Sequence, residues 1–269
     1  MNSLAIIGQG SWGQRIVKAL QNSFSDAKIE VISSREFLKT LSNRTFEAVW
    51  IAGRPIYQVK TLEIVESKTR LVILEKPLAD KMEDYYRLED RIKNSTTRID
   101  LSRPWCFSNT WLTLKEVVNS WNLIGSTVTF KRSGPKSHSY MAAIEDWLPH
   151  DIYLASEMFP RFEIQASIKS VNKNIKETQI SLNLQQSISL NFHFTESEIR
   201  KSKVEIVSSS GTAALDFLSR NIMINGKSVE VRNHDCFDEI TRNFISSSNC
   251  DNNETIRLLG TQKWIKSLI

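Results

Sequence analysis

The chain is poor in cysteine, histidine and glycine, and it has no long apolar run. Only three cysteines occur in 269 residues, Cys106, Cys236 and Cys250. Their number is odd and their spacing wide, so neither a disulfide framework nor a cysteine metal site is expected. Three ordinary thiols fit a reducing, cytoplasmic compartment. No apolar stretch reaches roughly 18 residues, which argues against a transmembrane helix. The first apolar run begins at Leu4, leaving no room for a signal peptide. There is no block of like charges either: 35 basic and 30 acidic residues are spread along the chain, for a net charge of +5. That balance points to small anionic ligands such as phosphates rather than to nucleic acid. With 41% apolar and 24% charged residues the chain has ample material for cores, and its length favours two domains.

Of only nine glycines, three fall in one turn: Leu4-Ala5-Ile6-Ile7 runs into Gly8-Gln9-Gly10-Ser11-Trp12-Gly13. A helix-patterned stretch over 12–22 and a second apolar run over 28–32 follow. Strand, glycine turn, helix, strand is the order of a dinucleotide-binding βαβ unit. In it Gly8 permits the tight turn, Gly10 lets a pyrophosphate approach the backbone, and Gly13 lets the helix close on the strand. The helix N-terminus offers free N–H groups to the phosphates. Residues 47–52 and 71–75 read as further buried strands, with helices over 35–42, 56–68 and 80–93 and a last strand over 98–107 running into a linker at Pro104. The alternation predicts a parallel, doubly wound sheet over residues 1–103.

Beyond a helix from Thr110 to Trp121 the texture changes. Period-2 alternation over 126–132, 163–171, 177–184, 187–195, 202–208, 213–218 and 222–231 predicts a mostly antiparallel sheet, with Asn225-Gly226 as a hairpin signal. One helix, 146–158, interrupts it, and helices over 236–247 and 252–268 close the chain. The expected architecture is α/β plus α+β: a Rossmann dinucleotide-binding domain, then an open-faced sheet domain over 104–251, with helix 252–268 packing back on the first. A naked apolar sheet face would need a partner, so a homodimer or tetramer is expected.

Three motifs carry chemistry. Ser33, Ser34 and Arg35 end the second strand, where a carboxylate would read the ribose hydroxyls of NAD; hydroxyls and a guanidinium suit a 2′-phosphate, favouring NADP(H) over NAD(H). Arg35 could instead cap or solvate the following helix, which would leave the choice open. Glu75-Lys76-Pro77 follows the fourth strand, placing Lys76 at the carboxyl end of a parallel sheet, where ligands sit. Asp146 and His150 stand four apart and share one helix face, a spacing suited to a proton-transfer pair. Pro149 is accommodated if it lies in the first helical turn. His138, His193 and His234 lack such a partner.

In this order and at these intervals, the motifs resemble the Gfo/Idh/MocA oxidoreductases, the glucose–fructose oxidoreductase and inositol dehydrogenase family. The resemblance implies hydride transfer between a nicotinamide and a carbon bearing a hydroxyl or keto group, without a metal. Lys76 would stabilise charge on the reacting oxygen, His150 would be the general acid/base, and Asp146 would orient it or the substrate. The implied dinucleotide contacts are Gly8, Gly10, Ser11, Trp12, Gly13, Ser33, Ser34, Arg35, Ala52, Arg54, Glu75 and Lys76. Trp105, Tyr140 and Lys131, with Phe107, Arg132 and His138 nearby in sequence, are expected around the substrate, where aromatic faces and cations suit a sugar bearing phosphate.

Two departures stand out. Many members carry Ala-Thr-Pro-x-x-x-His after the third strand, whereas this chain reads Ala52-Gly53-Arg54-Pro55-Ile56-Tyr57-Gln58. The chain is also short, with its deficit in the second domain, which predicts a substrate site left open or completed by a neighbouring subunit. The short form is similar to members associated with surface-polysaccharide sugar biosynthesis. The leading expectation is an NADP(H)-dependent oxidoreductase acting on a sugar or sugar-nucleotide. The alternatives are an imine or thiazoline reductase and a non-catalytic NADP-binding sensor or scaffold.

Overall fold

The computed structural model describes residues 3–33, 44–135, 143–159, 168–173, 177–184, 187–231, 237–247 and 251–268. The chain divides into two units, Met1–Pro104 with Cys236–Leu268, and Trp105–Asp235.

The first unit is built on a five-stranded parallel sheet of β1 (Ser3–Ile7), β2 (Lys28–Ile32), β3 (Phe46–Ile51), β4 (Thr69–Leu74) and β5 (Arg98–Leu101), in the order β2-β1-β3-β4-β5. The central strands are continuous apolar runs because both faces are covered; Ala5, Ile6, Ile7, Val72 and Leu74 are fully buried. Helix α1 (Ser11–Ser23) turns Gly13, Ile16, Ala19 and Leu20 inward. Helix α2 (Pro55–Val65) starts on a proline, whose missing N–H costs nothing there, and ends in a 3₁₀ turn over Glu66–Lys68. Helix α3 (Met82–Asn94) buries Tyr85, Leu88 and Ile92, with acids in its first turn and bases in its last, as its dipole favours. The expected helix over 35–42 lies outside the described residues. The expected strand over 98–107 is cut short: β5 stops at Leu101 and a 3₁₀ turn begins at Pro104, which cannot donate to a ladder.

Two C-terminal helices complete this unit. Helix α6 (Phe237–Ser247) was expected with the second domain, yet it packs on α1: Ser23 donates to the Asp238 carbonyl at 2.8 Å, and Phe237 meets the Trp12 ring at 5.3 Å. Helix α7 (Asn252–Ser267) is capped by Asp251, which accepts from Glu254 N–H. It seals the edge strand β5 with side chains in place of a neighbouring strand. Asn252 Oδ1 accepts from Ile99 N–H at 3.1 Å, and Thr255 Oγ1 donates to the Ile99 carbonyl at 2.6 Å.

The second unit is an eight-stranded sheet with helices on one face. In chain order it contains α4 (Asn109–Asn119), β6 (Thr127–Gly134), α5 (Ala143–Met158), β7 (Ile168–Lys173), β8 (Glu177–Leu184), β9 (Ile188–Glu196), β10 (Lys201–Ser208), β11 (Gly211–Asp216), β12 (Asn221–Ile224) and β13 (Lys227–Val229). The order is β13-β12-β11-β10-β6-β9-β8-β7, antiparallel throughout except for the parallel β6–β9 pair. The stretch 222–231 turns at the expected Asn225-Gly226 hairpin, which joins β12 to β13 with both residues at positive φ, 50° and 76°. Val128, Phe130, Leu190, Phe192, Val204 and Ile206 form the covered face, all fully buried, and α5 packs against it over β9. The opposite face was expected to be apolar. Instead its described residues include Thr129, Lys131, Ser181, Asn191, His193 and Glu205, tied by Ser181–Asn191 and Lys131–Glu205 contacts. The alternation is therefore apolar-in and polar-out.

Candidate functional site

The glycine turn after β1 meets its three demands in three different ways. Gly8 sits at φ +135°, and a Cβ there would lie 2.7 Å from the Ala52 carbonyl carbon and oxygen. A Cβ on Gly13 would lie 2.2 Å from the Gly8 carbonyl oxygen, so the helix can close onto the turn only without a side chain. Gly10 differs, because a Cβ there would meet nothing within 4 Å. Gly10 is also the N-cap of α1, with no capping side chain and no acid in the first turn. The first amide donors of α1, at Ser11 and Trp12, thus carry the positive end of the helix dipole beside bare backbone. Such a cradle fits the pyrophosphate of a dinucleotide.

The cradle lies at the switch point of the sheet, where the chain passes from β1 outward to β2 on one side and to β3 on the other. Ala52, Gly53 and the exposed Arg54 leave β3 on that side, with Ala52 N–H donating to the Ile7 carbonyl at 2.8 Å. Ser33 follows β2; Ser34 and Arg35, on which the NADP(H) expectation rests, lie outside the described residues.

Lys76, half-buried, leaves the same carboxyl edge at the end of β4, next to a cis Lys76–Pro77 peptide. Its turn is held from below by Gln58. The fully buried Gln58 amide donates to the Glu75 carbonyl at 2.5 Å and to the Pro77 carbonyl at 2.9 Å, the two carbonyls flanking Lys76. A neutral imidazole has a single N–H and could serve only one of them. Gln58, noted from sequence only as a departure from a pattern, is therefore a clamp. Nothing in the sequence signalled it, because its partners are backbone atoms seventeen and nineteen residues away. The Glu75 carboxylate is buried beside it and accepts from the Trp50 indole at 3.0 Å. Burial pushes this carboxyl above the ordinary range, while Ser102, Trp12, Lys76 and Trp50 pull the other way.

In the second unit, Asp146 and His150 lie one turn apart on α5, Asp146 buried and His150 half-buried. The helix begins at Ala143, not near Asp146, so Pro149 lies in its interior. Ala143, Ile144 and Glu145 extend the helix upstream, and the missing Pro149 N–H deprives the Glu145 carbonyl of its i+4 donor. The adjoining Asp151 is fully buried and holds Arg132 from β6, whose Nε lies 2.9 and 3.1 Å from the two carboxylate oxygens. Burial raises the Asp151 carboxyl and the Arg132 charge opposes that shift.

Arg132 lines a cleft of about 210 Å³ at the end of β6, together with Trp105, Gly134, Trp147, Arg200, Lys201, Ser202 and Phe217. Of the expected substrate residues, Trp105 lies here. Lys131 does not: it is one residue from Arg132 and so on the opposite sheet face, paired with Glu205. Tyr140 lies outside the described residues. Arg200 and Lys201 were not anticipated; a basic pair opening a strand was the available signal. Among the described residues no cluster of His, Cys, Asp and Glu could hold a metal, and no helix is long and apolar enough to cross a membrane.

No protein-family model matches the sequence, and no curated protein is similar to it at the sequence level. Solved structures are similar in fold. A UDP-N-acetylglucosamine 3-dehydrogenase from Acidithiobacillus ferrooxidans superimposes with a TM-score of 0.75 at 14% identity, over 100% of this chain and 97% of that one. The chain shares its fold, a parallel five-stranded sheet unit and a mostly antiparallel second sheet, with that structure. Two further structures share this fold. A myo-inositol 2-dehydrogenase from Lactobacillus plantarum has a TM-score of 0.76 at 12% identity, covering 99% of this chain and 96% of that one. An oxidoreductase from Agrobacterium radiobacter, solved with NAD+, L-tartaric acid and magnesium, has a TM-score of 0.73 at 14% identity, covering 97% and 94%.

Proposed function

We propose that the protein is an oxidoreductase that binds NADP(H) and acts on a carbonyl or hydroxyl carbon of a sugar or sugar-nucleotide. The observation that carries this reading is the carboxyl edge of the first sheet, where the uncapped, unobstructed Gly10 turn and the clamped Lys76 leave strands separated only by β3. When bound, a nicotinamide supplies or accepts a hydride. The pyrophosphate would lie on Gly8, Gly10, Ser11, Trp12 and Gly13, with Ala52, Arg54 and Glu75 along the same edge. Ser33, Ser34 and Arg35 would take the 2′-phosphate. Lys76 would donate a hydrogen bond to the reacting oxygen and stabilise the negative charge that develops there. His150 would hold or release the proton at that oxygen, with Asp146 fixing its orientation. The fold shared with a UDP-N-acetylglucosamine 3-dehydrogenase and inositol dehydrogenases supports a polyol or sugar substrate. We place that reaction in surface-polysaccharide sugar synthesis. We place the enzyme in the cytoplasm and as a homo-oligomer.

Nicotinamide fluorescence tests the cofactor. NADPH should bind at least about tenfold more tightly than NADH, and Arg35→Ala should erase the difference; stronger NADH binding would refute the 2′-phosphate reading. Turnover on keto-sugars, with Lys76→Met and His150→Ala each losing about 10²–10⁴-fold, is the expected activity. Tight NADPH binding without turnover on any keto-sugar or cyclic imine would identify a sensor instead.

A further inference from the structure

We infer that the cleft at the end of β6 is an anion site that receives a phosphoryl group carried by the substrate. The inference deepens the proposed function and rests on it. The chemistry of the cleft lies in two arginines and three aromatic rings: Arg132 and Arg200, with Trp105, Trp147 and Phe217.

The cations are not equivalent. Arg132 is spoken for: its guanidinium is held by the buried Asp151 carboxylate, donates to Ser202 Oγ, and lies 4.9 Å over the Phe217 ring. That network leaves the Arg132 charge on the inner wall balanced by Asp151. Arg200 is exposed at the rim, and among the described residues it has no carboxylate within ion-pair distance; Lys201, which pairs with Ser133 and precedes Ser202, leaves its strand toward the open face, as Lys131 does. The uncancelled Arg200 charge, beside the neutralised Arg132, matches a phosphoryl group. The rim is also shaped for its position. Gly134 sits at φ +153°, and a Cβ there would lie 3.3 Å from Arg200 Cγ and 3.9 Å from the Trp147 ring. Glycine at this point lets the arginine stem and the indole close against the strand end.

The aromatic walls explain why the site is more than a charged surface. Trp105, Trp147 and Phe217 offer ring faces to whatever the phosphate is attached to, a sugar or a nucleobase. Trp147 lies on α5 between Asp146 and His150, so one helix supplies both the wall of this cleft and the proton-transfer pair. Lys131, the cation expected from sequence, is turned to the far face and takes no part.

The test uses the full-length protein and tryptophan fluorescence or calorimetry, with UDP, inorganic pyrophosphate and glucose 1-phosphate as probes. Each is titrated into wild type and into Arg200→Ala, with and without saturating NADPH. At least one probe should bind wild type, and the variant should bind it about 10- to 100-fold more weakly. NADPH affinity and melting temperature should stay unchanged, since the side chain is exposed. UDP binding tenfold tighter than pyrophosphate assigns the rings to a nucleobase, and glucose 1-phosphate ahead of both assigns them to a sugar; either result supports the site. Probes that bind the variant as well as wild type, for example on the glycine turn, overturn it, as does the absence of binding. Failure of NADPH to bind wild type counts against the dinucleotide reading alone, because the probe titrations are read without it.

Discussion

Replacing Gln58 should reveal how far the turn around Lys76 depends on one buried amide. Methionine is close in volume and has no donor, so Gln58→Met leaves the Glu75 and Pro77 carbonyls short of their partner. Each buried carbonyl so deprived costs about 1–3 kcal/mol. Against this, Gln58 Oε1 is itself buried with no partner among the described residues, and methionine removes that debt once. The net expectation is a loss of about 1–3 kcal/mol, or a fall of about 5–10 °C in melting temperature for a unit of this size. Gln58→Glu sharpens the test. It keeps the unpartnered oxygen and sets a second oxygen against two carbonyl oxygens, so it should be less stable than the methionine variant. It should worsen as pH rises, because a carboxyl held in this position has a raised folded-state pKa and its stability is lost on ionisation. Denaturant midpoints for the three proteins should fall in the order Gln, Met, Glu. Activity of the methionine variant should fall about tenfold in kcat/KM with NADPH affinity retained, as expected if Lys76 is mispositioned. A methionine variant as stable as wild type, or a glutamate variant more stable than the methionine one, would refute the clamp.

The three glycines of the turn should separate cleanly. Gly13→Ala drives a Cβ into the Gly8 carbonyl and should cost about 3 kcal/mol or more by chemical denaturation, whereas Gly10→Ala should change stability by less than about 0.5 kcal/mol while weakening NADPH binding about tenfold. Equal destabilisation by both would sink the distinction. Glu75 should leave a pH signature. Its folded pKa is raised above the ordinary 4.5, so its stabilising effect is complete below that value and is lost as pH rises toward the folded pKa. Relative to wild type, Glu75→Gln should therefore gain stability between pH 4.5 and neutrality, and parallel stability curves for the two proteins would contradict this.

Local rules made much of the fold legible. The spacing of Gly8, Gly10 and Gly13 reflects backbone packing within one turn, and the continuous apolar runs of β1, β3 and β4 reflect strands covered on both sides. What stayed hidden depended on partners far along the chain or on single-residue register. Gln58 reads as an ordinary helix residue until its two carbonyls are placed. Lys131 and Arg132 are equally basic, and only the pleat decides which faces the cleft. Pro149 suggested a helix start nearby, but Ala143 to Glu145 favour helix strongly enough to carry it past the proline's tolerated turn. Helix α6 reads as amphipathic from sequence, and nothing there names α1 as the surface that covers it.

The seal on β5 has a consequence for how the protein is made. Ile99 receives its edge partners from Asn252 and Thr255, which leave the ribosome only after the whole second unit has been synthesised. That unit contains every strand pair of its own sheet within 127–229 and can finish folding while β5 still waits with a bare edge. For that interval the nascent chain carries an unpaired parallel-sheet edge, the kind of surface that invites a second chain. Synthesis of the second unit sets the length of that interval. A slow step there would lengthen it, so defects in the second unit should surface as aggregation through the first.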